Sequence, residues 1–195
     1  MNVLELFSGT GSVGKCCKEL GWDVVSVDME KKFNPTHLCN IMDFDYKQYD
    51  KNYFAIVWAS LPCTEYSPMN YCRPHKKCDI VGSNIIVEKT LEIINYFNCE
   101  YWFLECGGHA GTLKNQIFMK DLPFYDLDYC KYSNPVRKRT RIWTNKKNWN
   151  NLLCKKDCGN IVDGKHLSFG YMNIKGENRL HLRYRIPPEL IYSYF

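Results

Sequence analysis

No apolar run in this 195-residue chain approaches the roughly 20 residues that a membrane-spanning helix needs, so no membrane partner is expected. The N-terminus, MNVLELF, has no basic region ahead of a hydrophobic segment. Export is therefore not expected, and an intracellular, cytoplasmic protein is. Internal repeats and low-complexity tracts are missing too, which excludes solenoid and fibrous designs. The sequence has no Gly-Lys-Ser/Thr, and its glycine spacing does not match a P-loop, which argues against nucleoside triphosphate hydrolysis. Acidic residues are scarce towards the end: residues 130–195 hold 14 Lys/Arg against 4 Asp/Glu, whereas residues 1–129 hold 12 against 17. A basic block of that density, interleaved with Tyr132, Trp143 and Trp149, fits a polyanion such as nucleic acid, although a solvated lysine-rich face has the same composition.

What is present is ordinary for one globular domain: 45% hydrophobic and 24% charged residues. The eleven cysteines do not suggest a disulfide scaffold, because such scaffolds are usually short secreted chains. Most are read as reduced, buried small hydrophobes.

The first 145 residues alternate strand-like and helix-like runs. Strands are predicted at 2–7, 23–28, 53–60 and 101–105, and helices near Ser12 to Leu20 and over 84–97. The stretches FYDLDYCKY and RIWTN predict a terminal pair. That alternation predicts an α/β, Rossmann-like fold, a parallel sheet with helices on both faces. Residues 146–182 lose the pattern and are Asn/Lys/Gly-rich. The end regains apolar content, and Pro187 and Pro188 suit the opening of a last short helix. The division expected is a catalytic domain at 1–145, a short basic insertion at 146–182 and a C-terminal segment, 183–195, packing back on the first domain.

Four motifs fall at predicted strand ends. LFSGTGSVG carries Gly9 and Gly11, which let the backbone turn tightly and approach a ligand ahead of a helix N-terminus. Asp28 ends the second strand, where a carboxylate can accept hydrogen bonds from ribose hydroxyls. Cys63, in LPCTEYS, follows the third strand, where sheets of this kind bind ligands; a thiolate there is a nucleophile if it is exposed and stabilised. Glu105 closes the next strand. A carboxyl at the end of so apolar a strand must be paired or held neutral, and a neutral one can donate a proton to a ring nitrogen. Arg137, Arg139 and Arg141 alternate, so on a strand they share one face, suited to phosphates or to guarding a sheet edge.

In this order the motifs resemble the cytosine-C5 DNA methyltransferase family over about three quarters of the chain, most like its compact phage and large-virus forms. RYRIPPELI is similar to the family's late Arg-rich helix opening. The resemblance implies a Rossmann-like S-adenosylmethionine-dependent methyltransferase with a small or vestigial target-recognition region. S-adenosyl-L-methionine would sit over Phe7, Gly9, Thr10 and Gly11, with Asp28 on its ribose and Asn40 or Asp43 on its adenine; Asn40 is carried forward. The target cytosine of DNA would be flipped into the pocket. Cys63 would attack C6, Glu105 would serve N3, and Arg139 and Arg141 would hold the base and its phosphate. A monomer is expected, in the cytoplasm or nucleus of a host cell if viral.

The departures are specific. Leu61 stands for the first proline of Pro-Pro-Cys and predicts a less rigid loop. Cys106 stands for the usual Asn after the Glu and predicts a looser pocket, and Arg137 stands for the Gln of Gln-x-Arg-x-Arg. Only 146–182 is left for a recognition domain that is usually large. An RNA cytosine methyltransferase and a catalytically silent nucleic-acid-binding relative are the alternatives. Cys154, Cys158 and His166 have zinc-like spacing, with Cys130 or another thiol as a fourth ligand, and Cys72, His75 and Cys78 form a looser group. With no defined fourth ligand, no metal is assigned from sequence.

Overall fold

The computed structural model describes residues 1–68, 70, 75, 77–167 and 183–195. Strands β1 (Asn2–Leu6), β2 (Asp23–Asp28), β3 (His37–Leu38), β4 (Ile56–Ser60), β5 (Tyr101–Gly107), β6 (Phe124–Asp128) and β7 (Arg139–Thr144) form one sheet in the order β3-β2-β1-β4-β5-β7-β6. The first five are parallel, while β7 runs antiparallel to both β5 and β6. The sheet is therefore mixed rather than parallel throughout. Residues 129–138 contain only one short 3-10 turn, so β7 folds back on β6 as a hairpin; a parallel return needs a longer crossover.

Among the described residues three α-helices accompany the sheet: α1 (Ser12–Glu19), α2 (Ile80–Tyr96) and α3 (Pro188–Tyr192). Side chains alternate strictly between the two faces. Val3, Ile56, Trp58 and Phe103 pack with Val13 and Cys17 of α1 and with Leu190 and Ile191 of α3. Leu4, Leu6, Val57, Ala59 and Leu104 pack with Val87, Ile93 and Ile94 of α2. Burial on both faces explains why these strands read as continuous apolar runs. α2 starts at Ile80, ahead of its predicted start, because the Asp79 side chain accepts the Gly82 amide at 2.8 Å and caps the helix. The strand predicted from residue 53 begins at Ile56 instead, since Tyr53 and Phe54 stack with Tyr49 and Phe97.

After β7 the chain is mostly irregular, up to a hairpin of β8 (Ile161–Val162) and β9 (Lys165–His166). Its Asp163-Gly164 turn has φ of 49° and 72°, the signs of a type I′ turn. The rest of the predicted recognition region, 168–182, lies outside the described residues. Among the described residues no helix is long and apolar enough to cross a membrane.

Candidate active site

The strand order reverses between β1 and β4, and ligands of such sheets bind beyond the carboxyl ends of the strands at that point. A cavity of about 490 Å³ opens there. Of the residues expected from sequence, Phe7, Gly9, Thr10, Asp28, Asn40, Cys63 and Glu105 line it. Gly11 lies beside it in a neighbouring groove, and Asp43 is exposed elsewhere. Tyr184 and Ile186 of the tail close one side, with the Ile186 amide donating to Ser12 Oγ.

The glycine turn is built from both neighbouring strands. Gly9 donates its amide to Asp28 Oδ2 at 2.8 Å, and Glu30 donates to Oδ1 at 2.8 Å. Each oxygen keeps a second lone pair for a ligand hydroxyl. Phe7 holds φ of 54°, a left-handed conformation that a bulky residue adopts only under constraint, and such outliers gather at binding sites. Beneath the turn, buried Glu5 accepts the Val13 and Gly14 amides at 3.1 Å each and caps α1 from inside the sheet. A Cβ on Gly14 would meet Glu5 Oε2 at 2.6 Å, so only glycine lets helix and carboxylate approach this closely. Burial pushes Glu5 up to about 7, against those two amides.

Cys63 sits on the loop after β4. Leu61 roots that loop: it is buried, and its amide donates to Glu105 O at 3.0 Å. A proline has no such N–H, so the expected loosening is opposed by an anchor that the proline form cannot make. Farther along, Tyr66 is buried and its hydroxyl donates to Asn84 of α2 at 2.8 Å. The Thr112 amide donates to Tyr66 O at 3.0 Å.

Most described thiols with a shift lie high: burial pushes Cys17 up to about 12 and Cys99 to about 11. Cys63 goes the other way, down to about 7. The neighbouring Cys106 thiol, which also donates to Gly107 O at 3.7 Å, is the main cause, with help from Lys138, and it outweighs burial and the Glu105 charge. Cys106, the residue in place of the usual Asn, thus supports the thiolate, and its own proton is held correspondingly tightly.

Glu105 is buried and paired rather than isolated. Tyr129 Oη donates to its Oε1 at 2.9 Å, and Lys138 Nζ lies 3.3 Å from the same oxygen. Among the described residues Oε2 has no protein partner. Arg139 and Arg141 are not brought to the cavity. Arg139 forks onto Asp128 at 2.7 and 2.8 Å, and Arg141 onto Asp126 at 2.8 Å twice. Arg137 shares Asp128 at 3.0 Å, so the three arginines do occupy one face, turned to β6. Burial raises Asp126 and Asp128, but the arginines outweigh it and hold both below the usual carboxylate range.

The chain is 31% identical to a protein of Frog virus 3 (isolate Goorha) named "Probable DNA (cytosine-5)-methyltransferase", over 98% of this chain and 97% of the other. It belongs to the cytosine-C5 DNA methyltransferase family. No family model matches the sequence. Two solved structures share the fold at 15% identity: S. pombe Dnmt2 methyltransferase (TM-score 0.53) and the Entamoeba histolytica methyltransferase EhMeth (TM-score 0.55). They cover 76% and 78% of this chain, which spans only 51% and 56% of theirs.

Sequence reasoning missed Glu5, Tyr129 and Lys138, and gave Cys106 only a loosening effect. Lys138 had a signal: it lies between the alternating arginines, so it must project to the opposite face, the one Glu105 shares. Of the second cysteine group, Cys72 lies outside the described residues, and Cys78 is exposed.

Proposed function

We propose that this chain transfers a methyl group to C5 of cytosine in DNA through a covalent Cys63 adduct. The observation that carries the reading is one cavity in which Cys63 and Glu105 face the glycine turn and Asp28. That cavity fits S-adenosylmethionine, the cofactor of the family. It is of nucleoside-ligand size, with the Asp28 carboxylate and Gly9 backbone on one side and the Phe7 ring and Asn40 on the others. When bound, S-adenosylmethionine supplies an electrophilic methyl group.

The chain's own residues do the rest. The lowering of the Cys63 pKa to about 7 raises its share of thiolate near neutrality. The thiolate adds to C6 of a flipped cytosine, and the displaced electron pair makes C5 nucleophilic. Glu105, held through Oε1 by Tyr129 and Lys138, presents Oε2 to N3 and the exocyclic amine. After C5 is alkylated, loss of its proton to a base restores the double bond and expels the thiolate. Arg139 and Arg141 act as positioning residues, locking β7 to β6, the strand that leads into Tyr129. Residues 1–145 with 183–195 would form the catalytic unit, and 146–182 a reduced recognition element.

DNA containing 5-fluorocytosine, incubated with protein and S-adenosylmethionine, tests this directly. Fluorine cannot leave as a proton, so a stable protein–DNA adduct is expected and should vanish in Cys63→Ser. An adduct on fluorinated RNA alone would move the substrate to RNA. No adduct on either would leave a nucleic-acid-binding relative without catalysis.

A further inference from the structure

Four potential metal ligands meet beside the turn of the β6–β7 hairpin, outside the cavity of the proposed reaction. The sulfurs of Cys130, Cys154 and Cys158 and a ring nitrogen of His166 all lie within 4.8 Å of one another. The Cys154 Sγ to His166 Nε2 separation is 3.2 Å. In a tetrahedral zinc site, with Zn–S of about 2.3 Å and Zn–N of about 2.0–2.1 Å, neighbouring donor atoms stand roughly 3.6–3.8 Å apart. The four atoms are thus within about 1 Å of coordination spacing, and Cys130, Cys154 and Cys158 form no disulfide.

We propose that Cys130, Cys154, Cys158 and His166 bind a structural zinc ion that fastens the segment after β7 to the catalytic core. The ligands come from three places. Cys130 lies on the 3-10 turn after β6, Cys154 and Cys158 flank a bend, and His166 ends the β8–β9 hairpin. The bend is shaped for the purpose: Lys156 at φ 69° and Gly159 at φ 76° turn the backbone so that both sulfurs face inward. Three thiolates and one imidazole close the coordination sphere, the arrangement of a structural rather than a catalytic site.

The segment needs such a fastening. β8 and β9 have two residues each, and Val162 is 56% exposed, so the hairpin buries too little to hold itself. Polar contacts position the site without replacing it. The Cys154 amide donates to Asp128 Oδ2 at 2.9 Å, and Lys131 pairs with Asp157 at 3.0 Å. Because Cys130 follows Tyr129, the ion would also stiffen the turn that holds Glu105.

The test uses the full chain and zinc itself, and it does not depend on methyl transfer. Metal analysis of reduced, purified protein should give about one zinc per chain. Replacement by cobalt should give thiolate charge-transfer bands and the intense visible absorption of a tetrahedral site. Cys158→Ser and His166→Gln should each lose most of the zinc, whereas Cys78→Ser should retain it. If those variants fail to fold, the cobalt spectrum of the unaltered protein decides. Zinc well below stoichiometry after refolding with zinc chloride and reductant would overturn the assignment. So would a weak octahedral cobalt spectrum, or zinc undiminished in Cys158→Ser.

Discussion

Cys106→Ala removes the group that most depresses the Cys63 pKa, and its effect can be worked through. With the native pKa at about 7, half of Cys63 is thiolate at pH 7. Without Cys106, burial and the Glu105 charge should hold the thiol at or above its ordinary value of roughly 8.5–9, leaving at most about 1–3% thiolate at pH 7, at least about 16–50-fold less. A more basic thiolate is also a better nucleophile; a Brønsted slope of about 0.4–0.5 over a pKa rise of about 1.5–2 returns a factor of roughly 4–10. The variant should therefore be alkylated at least about 3-fold more slowly at pH 7, yet about 4–10-fold faster well above its own pKa, where both forms are ionised. The assay is the rate of iodoacetamide capture at Cys63 against pH, read by peptide mass spectrometry because the other thiols also react. Cys106→Ser, which keeps a donor, should lie between the two. An unchanged midpoint, or a rate lowered equally at every pH, would refute Cys106 as the cause.

The same site sets three stability predictions. Glu5 has its folded pKa raised to about 7 from 4.5, so its stabilising protonated state is complete below pH 4.5 and is lost as pH rises through 7. Denaturant titrations should show about 3 kcal/mol of stability lost across that window. Glu5→Gln should remove that slope even though it lowers stability at pH 5 by opposing a helix amide; an equal slope in both proteins would sink the idea. Gly111→Ala places a Cβ 1.9 Å from Tyr66 O at a φ of +48°. It should cost at least about 2 kcal/mol in urea unfolding, and an unchanged midpoint would count against the clamp on the Cys63 loop. Leu61→Pro restores the family's residue but deletes the amide bonded to Glu105 O. We expect a loss of about 1–3 kcal/mol from the orphaned carbonyl alone, and a neutral result would show that the loop has another anchor.

Much of the core site was legible because its residues are local to strand ends. Gly9, Asp28, Cys63 and Glu105 each follow or end an apolar run, and in a doubly wound sheet those ends converge without further information. β3 was not legible, since two residues show no period, and neither was the Cys63–Cys106 contact. Strand alternation sends Cys106 to the face opposite Glu105, and only the path of the 61–67 loop brings Cys63 to it. The arginine pairing was readable in principle. Asp126 and Asp128 alternate on one strand of a predicted hairpin and Arg139 and Arg141 on the other, and opposite charges directly across such a pair attract. The fourth zinc-type ligand, Cys130, is 24 residues from Cys154 and could be chosen only once β6 and the later bend were placed.

That pairing changes what the basic block means. The excess of cations after residue 130 reads as a nucleic-acid surface only if those cations are free to meet phosphates. Arg137, Arg139 and Arg141 are turned instead onto Asp126 and Asp128, which lie just before the block begins. Lys138 and Lys131 are held by Glu105 and Asp157. Arg141 is 11% exposed and its guanidinium lies 3.6 Å over the Phe124 ring, so a phosphate could reach it only by displacing both partners. Beyond β7, by contrast, Lys155, Lys156 and Lys165 stand exposed around the four-ligand cluster, free to meet a nucleic-acid backbone. If the zinc proposal is right, the ion orients these lysines as a group. Chelation should then weaken DNA binding and flatten its salt dependence, while Lys155→Ala and Lys156→Ala should each lower the salt slope by about 1 with zinc still bound. Gel-shift titrations across a salt series measure both, and slopes unaffected by either change would place the polyanion site elsewhere.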